Sequence, residues 1–210
     1  MFASASRWLA RGLCDAVVVG GVDSLCGTTL YGFQALQVVS PGRCRPFDVD
    51  RDGISLGEAA ALFLLEREPS QRGRQAVLLG AGESADAHHM SAPHPDGAGA
   101  IASMRAALAS SGSPPAGIDF VCAHGTATRA NDEIEARAIA TLLGEGTVTT
   151  STKGTTGHAL GAAGALSAIV AVLAIERGLL PGTVNTGSVD PGCPVTVPLK
   201  RRPNGVGSLW

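Results

Sequence analysis

The stretch from Ser151 to Ala165 constrains the fold of this chain more than any other. Its first half alternates Ser, Thr and Gly without helical or strand periodicity, which is typical of a loop. Its second half runs into an apolar tail without a polar stripe, which predicts a helix between His158 and Arg177 that is buried on all sides. Such a junction places Lys153 and His158 near a helix N-terminus, where an anion is favoured. The same residues also fit a glycine-rich turn with a solvated lysine.

Short apolar runs alternate with helical patterns along the rest of the chain. Strands are predicted at 16–19, 60–65, 76–80, 118–122, 147–150 and 195–199, and helices at 3–13, 31–39, 100–111 and 132–143. Wholly apolar runs are typical of strands buried on both faces. The alternation predicts an α/β fold with a layered sheet, a linker at 69–74 and an unassigned tail at 201–210.

Composition narrows the function classes. The chain has 210 residues, 45% of them hydrophobic and 16% charged, with a net charge of −2, which argues against a nucleic-acid partner. No signal peptide or uninterrupted membrane span is visible, so we expect a cytoplasmic protein without a membrane partner. Five scattered cysteines predict reduced thiols rather than disulfides or zinc. The acidic loop at 48–52 has Ala59 where an EF-hand needs glutamate, so no metal site is expected.

A histidine follows the predicted strand 118–122, where open α/β folds place ligand sites. His124 alone could simply cap the local backbone. In a layered sheet, however, neighbouring strand ends meet at one rim, which brings His124 together with Lys153 and His158. Two neutral imidazoles there could donate to one developing oxyanion, and Lys153 could fix their protonation states. Thr126 and Thr128 alternate on an extended segment, so both hydroxyls could face one ligand chain. This chemistry suits an acyl group and an enolate.

Two loops carry a resemblance to a known family. Residues 122–128 (CAHGTAT) and 151–164 (STKGTTGHALGAAG) resemble the signature loops of the β-ketoacyl-acyl-carrier-protein synthases, and 14–23, 45–53 and 88–93 are similar as well. The resemblance extends to about residue 200 and implies the five-layered αβαβα thiolase-like fold, here incomplete. Residues 1–68 would be the remainder of the N-terminal half, 75–200 the C-terminal half and 201–210 a tail without assignment.

The resemblance also implies a function, the decarboxylative Claisen condensation of an acyl thioester with a malonyl thioester in fatty acid or polyketide biosynthesis. His124 and His158 would be the catalytic pair, Lys153 the supporting lysine, and Thr126 and Thr128 the residues that bind the phosphopantetheine arm of acyl carrier protein. No permanently bound cofactor is implied. The expected partners are acyl carrier protein and a second synthase subunit, in a homodimer or a heterodimer.

Three departures from the family pattern modify that expectation. The nucleophilic cysteine would lie a few residues before Met1, residues 203–210 do not resemble the family's closing Gly/Phe-rich loop, and Ser167 stands where a glutamate is usual. We therefore expect a fragment truncated at both ends that does not catalyse condensation alone. The alternatives are a malonyl-thioester decarboxylase, a non-catalytic partner subunit of a complete synthase, and a thiolase-like degradative enzyme.

Overall fold

The structure is a computed structural model that describes residues 1–68, 76–89 and 92–203. Its α-helices are α1 Phe2–Ala10, α2 Gly27–Ala35, α3 Ala98–Ser111, α4 Arg129–Leu143, α5 Lys153–Thr156 and α6 Leu160–Arg177. Its strands are β1 Ala16–Asp23, β2 Ala59–Glu66, β3 Val121–Cys122, β4 Thr149–Thr150, β5 Leu179–Leu180 and β6 Arg202–Pro203. The linker predicted at 69–74 lies outside the described residues, as does most of the predicted tail.

The antiparallel pair of β1 and β2 carries helices on one face. Gly21 of β1 allows α6 to approach so closely that a Cβ atom at this position would lie 2.1 Å from the carbonyl oxygen of Gly161. On the same face, the ring of Phe2 in α1 packs edge-on against Phe63 of β2, with centroids 5.3 Å apart. Helices α1 and α6 therefore form a layer against this sheet.

A second sheet lies beyond α6 and positions the candidate site. Strands β3 and β4 pair in parallel, with Cys122 opposite Thr150, and α4 forms the crossover between them. Parallel strands joined by a crossover end at the same edge, so the loops after both strands meet there. Helix α4 packs on the far side through Ala136 and Ile139, and α3 packs against α4. The described residues thus form successive layers of sheet, helix, sheet and helix.

The strand predictions are partly wrong. Residues 76–80 form no strand, and their end lies against α3, where a Cβ atom at Gly80 would lie 2.7 Å from the carbonyl oxygen of Ala107. The strands predicted at 118–122 and 147–150 shrink to the two residue pairs of β3 and β4. In the segment 195–199, Thr196 forms one isolated parallel bridge with Val148. In the last three segments the backbone of a neighbouring segment is in register over only one or two residues, and for 76–80 no strand pairing is present among the described residues.

The predicted burial of two elements is also wrong. One face of β1–β2 is open to solvent, and Val18, Val22, Leu62 and Leu64 are 66%, 67%, 62% and 62% exposed. Helix α6 buries only its alanines at positions 162, 163, 165 and 174, and Leu173 is exposed. The two sheets pack against α6 from opposite sides, and the apolar positions between these contacts are half-buried.

Helix α6 is, by length and composition alone, long and apolar enough to cross a bilayer, contrary to the expectation from the sequence. It is the one such helix within the described residues. Core helices of proteins that never meet a membrane pass the same test. The close approach of Gly161 to β1 and the contacts with both sheets identify α6 as a packing helix between layers.

Candidate active site

The loops after β3 and β4 bring Lys153 against His124. The Lys153 side chain is 3% exposed, and its Nζ donates to the backbone carbonyl of His124 and lies 3.4 Å from that residue's ring Nδ1. An ammonium group can only donate, so the contact makes Nδ1 the acceptor and leaves the ring proton on Nε2. Ser151 supports the junction by donating from its hydroxyl to the carbonyl of Gly125 at 2.8 Å.

His158 reaches the same place from the residue pair just before α6. The segment 55–57 fixes its backbone, because the His158 amide donates to the Ser55 carbonyl at 2.7 Å and the Gly57 amide donates to the His158 carbonyl at 3.2 Å. Its ring Nδ1 accepts from the amide of Leu160 at 3.2 Å. The neutral ring therefore carries its proton on Nε2, as the ring of His124 does. The two rings meet edge to face with centroids 5.0 Å apart.

Electrostatics keeps both rings neutral. Loss of hydration among the surrounding protein atoms and, to a smaller extent, the positive charge of Lys153 together lower the pKa of His124 to about 4. The same two causes, with a smaller effect of His124, lower the pKa of His158 to about 4. At neutral pH the site therefore presents two N–H donors without a positive charge on either ring.

Thr126 and Thr128 follow His124 in the same loop after β3. Their hydroxyl oxygens are 3.0 Å apart, with Thr126 buried and Thr128 half-buried. Ala127 between them has a positive φ of 65°, which is uncommon for a residue with a side chain. Two hydrogen bonds of 3.1 Å from the Ala127 amide to the carboxylate of Asp132 hold that conformation.

Two acidic residues of α4 support the loop, and the sequence reasoning missed both. Glu135 accepts from the amides of His124 at 2.7 Å and Gly125 at 2.8 Å. Asp132 is fully buried and also accepts from the Phe47 amide at 2.7 Å. Burial raises the pKa of Asp132 to about 6 and raises that of Glu135. Their spacing from Ala136 and Ile139 was the available signal, since it puts two carboxylates on the apolar face of the helix.

The charge of Glu135 also acts on Lys153. Burial lowers the pKa of the Lys153 ammonium, and the nearby Glu135 carboxylate opposes that shift. Lys153 further lines a cavity of about 460 Å³ whose wall includes Arg43, Ser55 and Asn185. The lysine thus stands between this cavity and the ring of His124.

None of the cysteines shares a hydrogen bond with either site histidine. Burial raises the pKa of the Cys44 and Cys122 thiols and raises that of Cys193 to about 12. The Cys122 thiol contacts the hydroxyl of Ser167, the residue that replaces the usual glutamate of the resembled family. Within the described parts of the chain, no group of three or more metal-ligating side chains is arranged to hold a metal ion.

Comparison with known proteins identifies the class. The model of the β-ketoacyl synthase C-terminal domain matches residues 75–187, and that of the N-terminal domain matches residues 1–71. The chain therefore belongs to the β-ketoacyl synthase family.

Individual curated relatives support the same family. The mitochondrial 3-oxoacyl-[acyl-carrier-protein] synthase of Arabidopsis thaliana is 42% identical over 204 residues, covering 89% of this chain and 44% of its own length. Nodulation protein E of Rhizobium meliloti is 38% identical over 203 residues, covering 93% of this chain and 50% of its own. The chain spans about half the length of the curated relatives it matches.

Solved structures establish the fold as thiolase-like. A chain of the structure of a ketosynthase in complex with its chain length factor from Xenorhabdus doucetiae superposes with a TM-score of 0.89 at 43% identity, covering 98% of this chain and 51% of the matched chain. The ishigamide ketosynthase/chain length factor gives a TM-score of 0.90 at 38% identity, covering 98% and 52%. The layer order seen here is consistent with four layers of the αβαβα arrangement.

Proposed function

We propose that this polypeptide carries the decarboxylation half of a β-ketoacyl-acyl-carrier-protein synthase reaction. The observation that supports it most directly is the shared protonation of the histidine pair: each Nδ1 accepts a hydrogen bond, so each ring offers Nε2–H. Two such donors suit the oxygen of a thioester carbonyl that becomes an enolate. Lys153 supports His124, and Thr126 and Thr128 bind the phosphopantetheine arm of acyl carrier protein, with no permanently bound cofactor.

The chemical step uses these donors as follows. In a malonyl thioester the bond between the carboxylate and the α-carbon breaks, and carbon dioxide leaves. The electron pair stays on the remaining fragment as an enolate, whose oxygen receives the hydrogen bonds of His124 and His158. The enolate then attacks an acyl thioester held on a cysteine, or it takes a proton and becomes an acetyl thioester. We propose that the five cysteines of residues 1–210 do not supply that nucleophile, so protonation is the outcome for this polypeptide alone.

Decarboxylation of malonyl-N-acetylcysteamine tests the proposal. We expect acetyl-N-acetylcysteamine to form above the uncatalysed rate, and His124→Ala and His158→Ala each to lower the rate by about 10²-fold or more, as loss of one oxyanion donor does. His94→Ala is the matched control, because this histidine lies in the loop before α3 and its amide bonds to Asp86 rather than to the site. A rate indistinguishable from buffer, or equal effects of all three substitutions, would rule the function out.

A second role is favoured by one observation. Two of the similar solved structures are ketosynthases with a chain length factor, and this chain exposes an apolar sheet face that a partner subunit could cover. In that role the chain acts as a non-catalytic partner of a complete synthase in a cytoplasmic heterodimer. Co-expression with a complete synthase distinguishes the two: a stable complex whose product is unchanged by His124→Ala supports the partner role and contradicts a catalytic one.

A further inference from the structure

Arg51 is a buried cation for which the proposed chemistry has no use. Its side chain is 1% exposed, and a buried charge persists only where other groups replace its hydration. Its guanidinium group has such partners: Nη1 donates to the Asp48 carbonyl at 2.9 Å and to Asp190 Oδ2 at 2.5 Å. Two further donors of the group, Nε and Nη2, point elsewhere.

The remaining donors of Arg51 hold the end of residues 126–128, the threonine segment. Nε of Arg51 donates to the carbonyl of Thr128 at 3.4 Å, and Nη2 donates to the carbonyl of Arg129 at 3.0 Å. Both carbonyls lie where the loop from β3 becomes α4. The planar fork of the guanidinium holds two successive peptide groups in a fixed relative geometry, which the rotating ammonium group of a lysine would not impose.

Arg51 also supports Ala127, the residue with a positive φ, through another side chain. Nε of Arg51 lies 3.9 Å from Oδ2 of Asp132, the carboxylate that holds the amide of Ala127. Ala127 keeps its left-handed conformation only while such contacts outweigh the cost of a positive φ. If it relaxed, the hydroxyls of Thr126 and Thr128 would turn apart from their present separation of 3.0 Å.

We propose that Arg51 is a positioning residue for the phosphopantetheine arm, acting through the backbone of Thr128 and the carboxylate of Asp132. The inference rests on the proposed function, in which Thr126 and Thr128 bind that arm. On this proposal, Arg51 is the reason why the site binds thioesters with a full pantetheine chain more tightly than thioesters with a short chain. Arg51 touches no reacting atom.

Two inert ligands test it without any turnover. S-methyl pantetheine carries both amides of the arm, whereas S-methyl N-acetylcysteamine keeps only the amide next to the sulfur. We expect the wild-type chain, titrated in NMR experiments, to bind the pantetheine thioether more tightly, and Arg51→Met to reduce that preference about tenfold, which corresponds to the loss of one or two hydrogen bonds. Binding of the short thioether should stay unchanged, which reports an intact site.

Arg45→Met is the matched control. Arg45 belongs to the same turn, but it bonds to the Asp50 carbonyl and Asp52 rather than to the threonine segment. We expect the Arg45→Met chain to prefer the pantetheine thioether over the short thioether as strongly as the wild type does. Arg51→Lys, which keeps the charge and loses the fork, should behave like Arg51→Met.

The outcomes are decisive in each case. An Arg51→Met chain that folds and keeps the full preference overturns the inference, as does a wild-type chain that shows no preference. If Arg51→Met and Arg51→Lys do not fold, Asp190→Asn decides: it removes the half-exposed partner that orients the guanidinium, and an undiminished preference in that variant overturns the inference. Because neither thioether has a carboxylate to lose, a failure of decarboxylation in the earlier assay leaves this result readable.

Discussion

At the scale of single residues, the neutrality of His124 and His158 has one common origin. Each ring loses hydration among protein atoms, and each lies near the ammonium group of Lys153. Both effects disfavour a second positive charge. Nδ1 of each ring accepts a hydrogen bond, from Lys153 in His124 and from the Leu160 amide in His158. These contacts fix the neutral tautomer that carries its proton on Nε2. Lys153 thus acts on the rings without contributing a proton.

This arrangement predicts a pH profile for malonyl-thioester decarboxylation. The active form has neutral rings, and a lowered pKa means that this form persists as the pH falls until it nears 4. We expect protonation of the two rings to lower the initial rate of acetyl thioester formation only below about pH 5, whereas any change near pH 6 comes from Asp132, whose pKa burial raises to about 6. Lys153→Met should move the falling limb to higher pH, because it removes a charge that lowers both pKa values. A wild-type limb centred near 6.5 contradicts this explanation.

The sequence predicts five candidate site residues and does not predict the charged residues that support their loops. His124, Lys153, His158, Thr126 and Thr128 stand in Gly/Thr-rich loops after apolar runs, which is a local pattern. Asp132, Glu135 and Arg51 owe their roles to backbone amides and carbonyls from distant segments, and no local pattern specifies those partners. The helical spacing of Asp132 and Glu135 places both carboxylates on the apolar face of α4, but only the tertiary structure shows which amides they accept from.

At the scale of elements, the contact between α6 and β1 determines where His158 stands. Helix α6 begins two residues after His158, and its first turn rests on the backbone of Gly21 through Gly161. A larger residue in the strand would push the start of the helix outward. The position of the histidine therefore depends on the absence of a side chain in a different element.

Substitutions of two glycines test that dependence. Gly21→Ala places a Cβ atom 2.1 Å from the Gly161 carbonyl oxygen, so we expect the free energy of unfolding to fall by about 1–3 kcal/mol. Gly164 lies on α6, as Gly161 does, but a Cβ atom there would have nothing within 4 Å. Gly164→Ala should therefore raise the free energy of unfolding by about 0.5–1 kcal/mol. Urea denaturation followed by circular dichroism measures both. Equal effects of the two substitutions would show that the close approach is unimportant.

The long elements follow from the sequence and the short strands do not. Helices α3 and α4 and strands β1 and β2 lie within a few residues of the predicted ranges, because each is long enough for its apolar residues to indicate an element. The strands predicted around β3 and β4 are too long, since pairing there depends on the path of the neighbouring segment. Helix α2 begins four residues before its predicted start because Gly27 to Leu30 carry no helical signal.

At the scale of the whole molecule, one sheet face remains open. The register pairs Val18 with Leu64 and Gly20 with Leu62, so the exposed aliphatic side chains are neighbours on a single surface. Helices α1 and α6 occupy the opposite face. A contiguous apolar surface of this kind favours association with another apolar surface.

Binding of a fluorescent apolar dye should report this surface. We expect the described chain to enhance the dye's fluorescence and to associate as its concentration rises, and the double substitution Leu62→Lys with Leu64→Lys to reduce both effects. Val77→Lys is the matched control, because Val77 is at least as exposed as Leu62 and Leu64 but lies outside the sheet. Dye fluorescence and sedimentation velocity provide the measurements. If the control reduces the signal as much as the double variant does, the sheet face is not the binding surface.

The occupied Nδ1 atoms of the histidine pair have a consequence for inhibitor selection. A compound that approaches the rings meets two hydrogen-bond donors and no ring acceptor. Head groups that end in an oxygen acceptor, such as a thiolactone carbonyl, a sulfone or a sulfoxide, match that arrangement, whereas amine, amidine and metal-chelating head groups do not. A fragment library for this protein is therefore best filtered by hydrogen-bond polarity before shape.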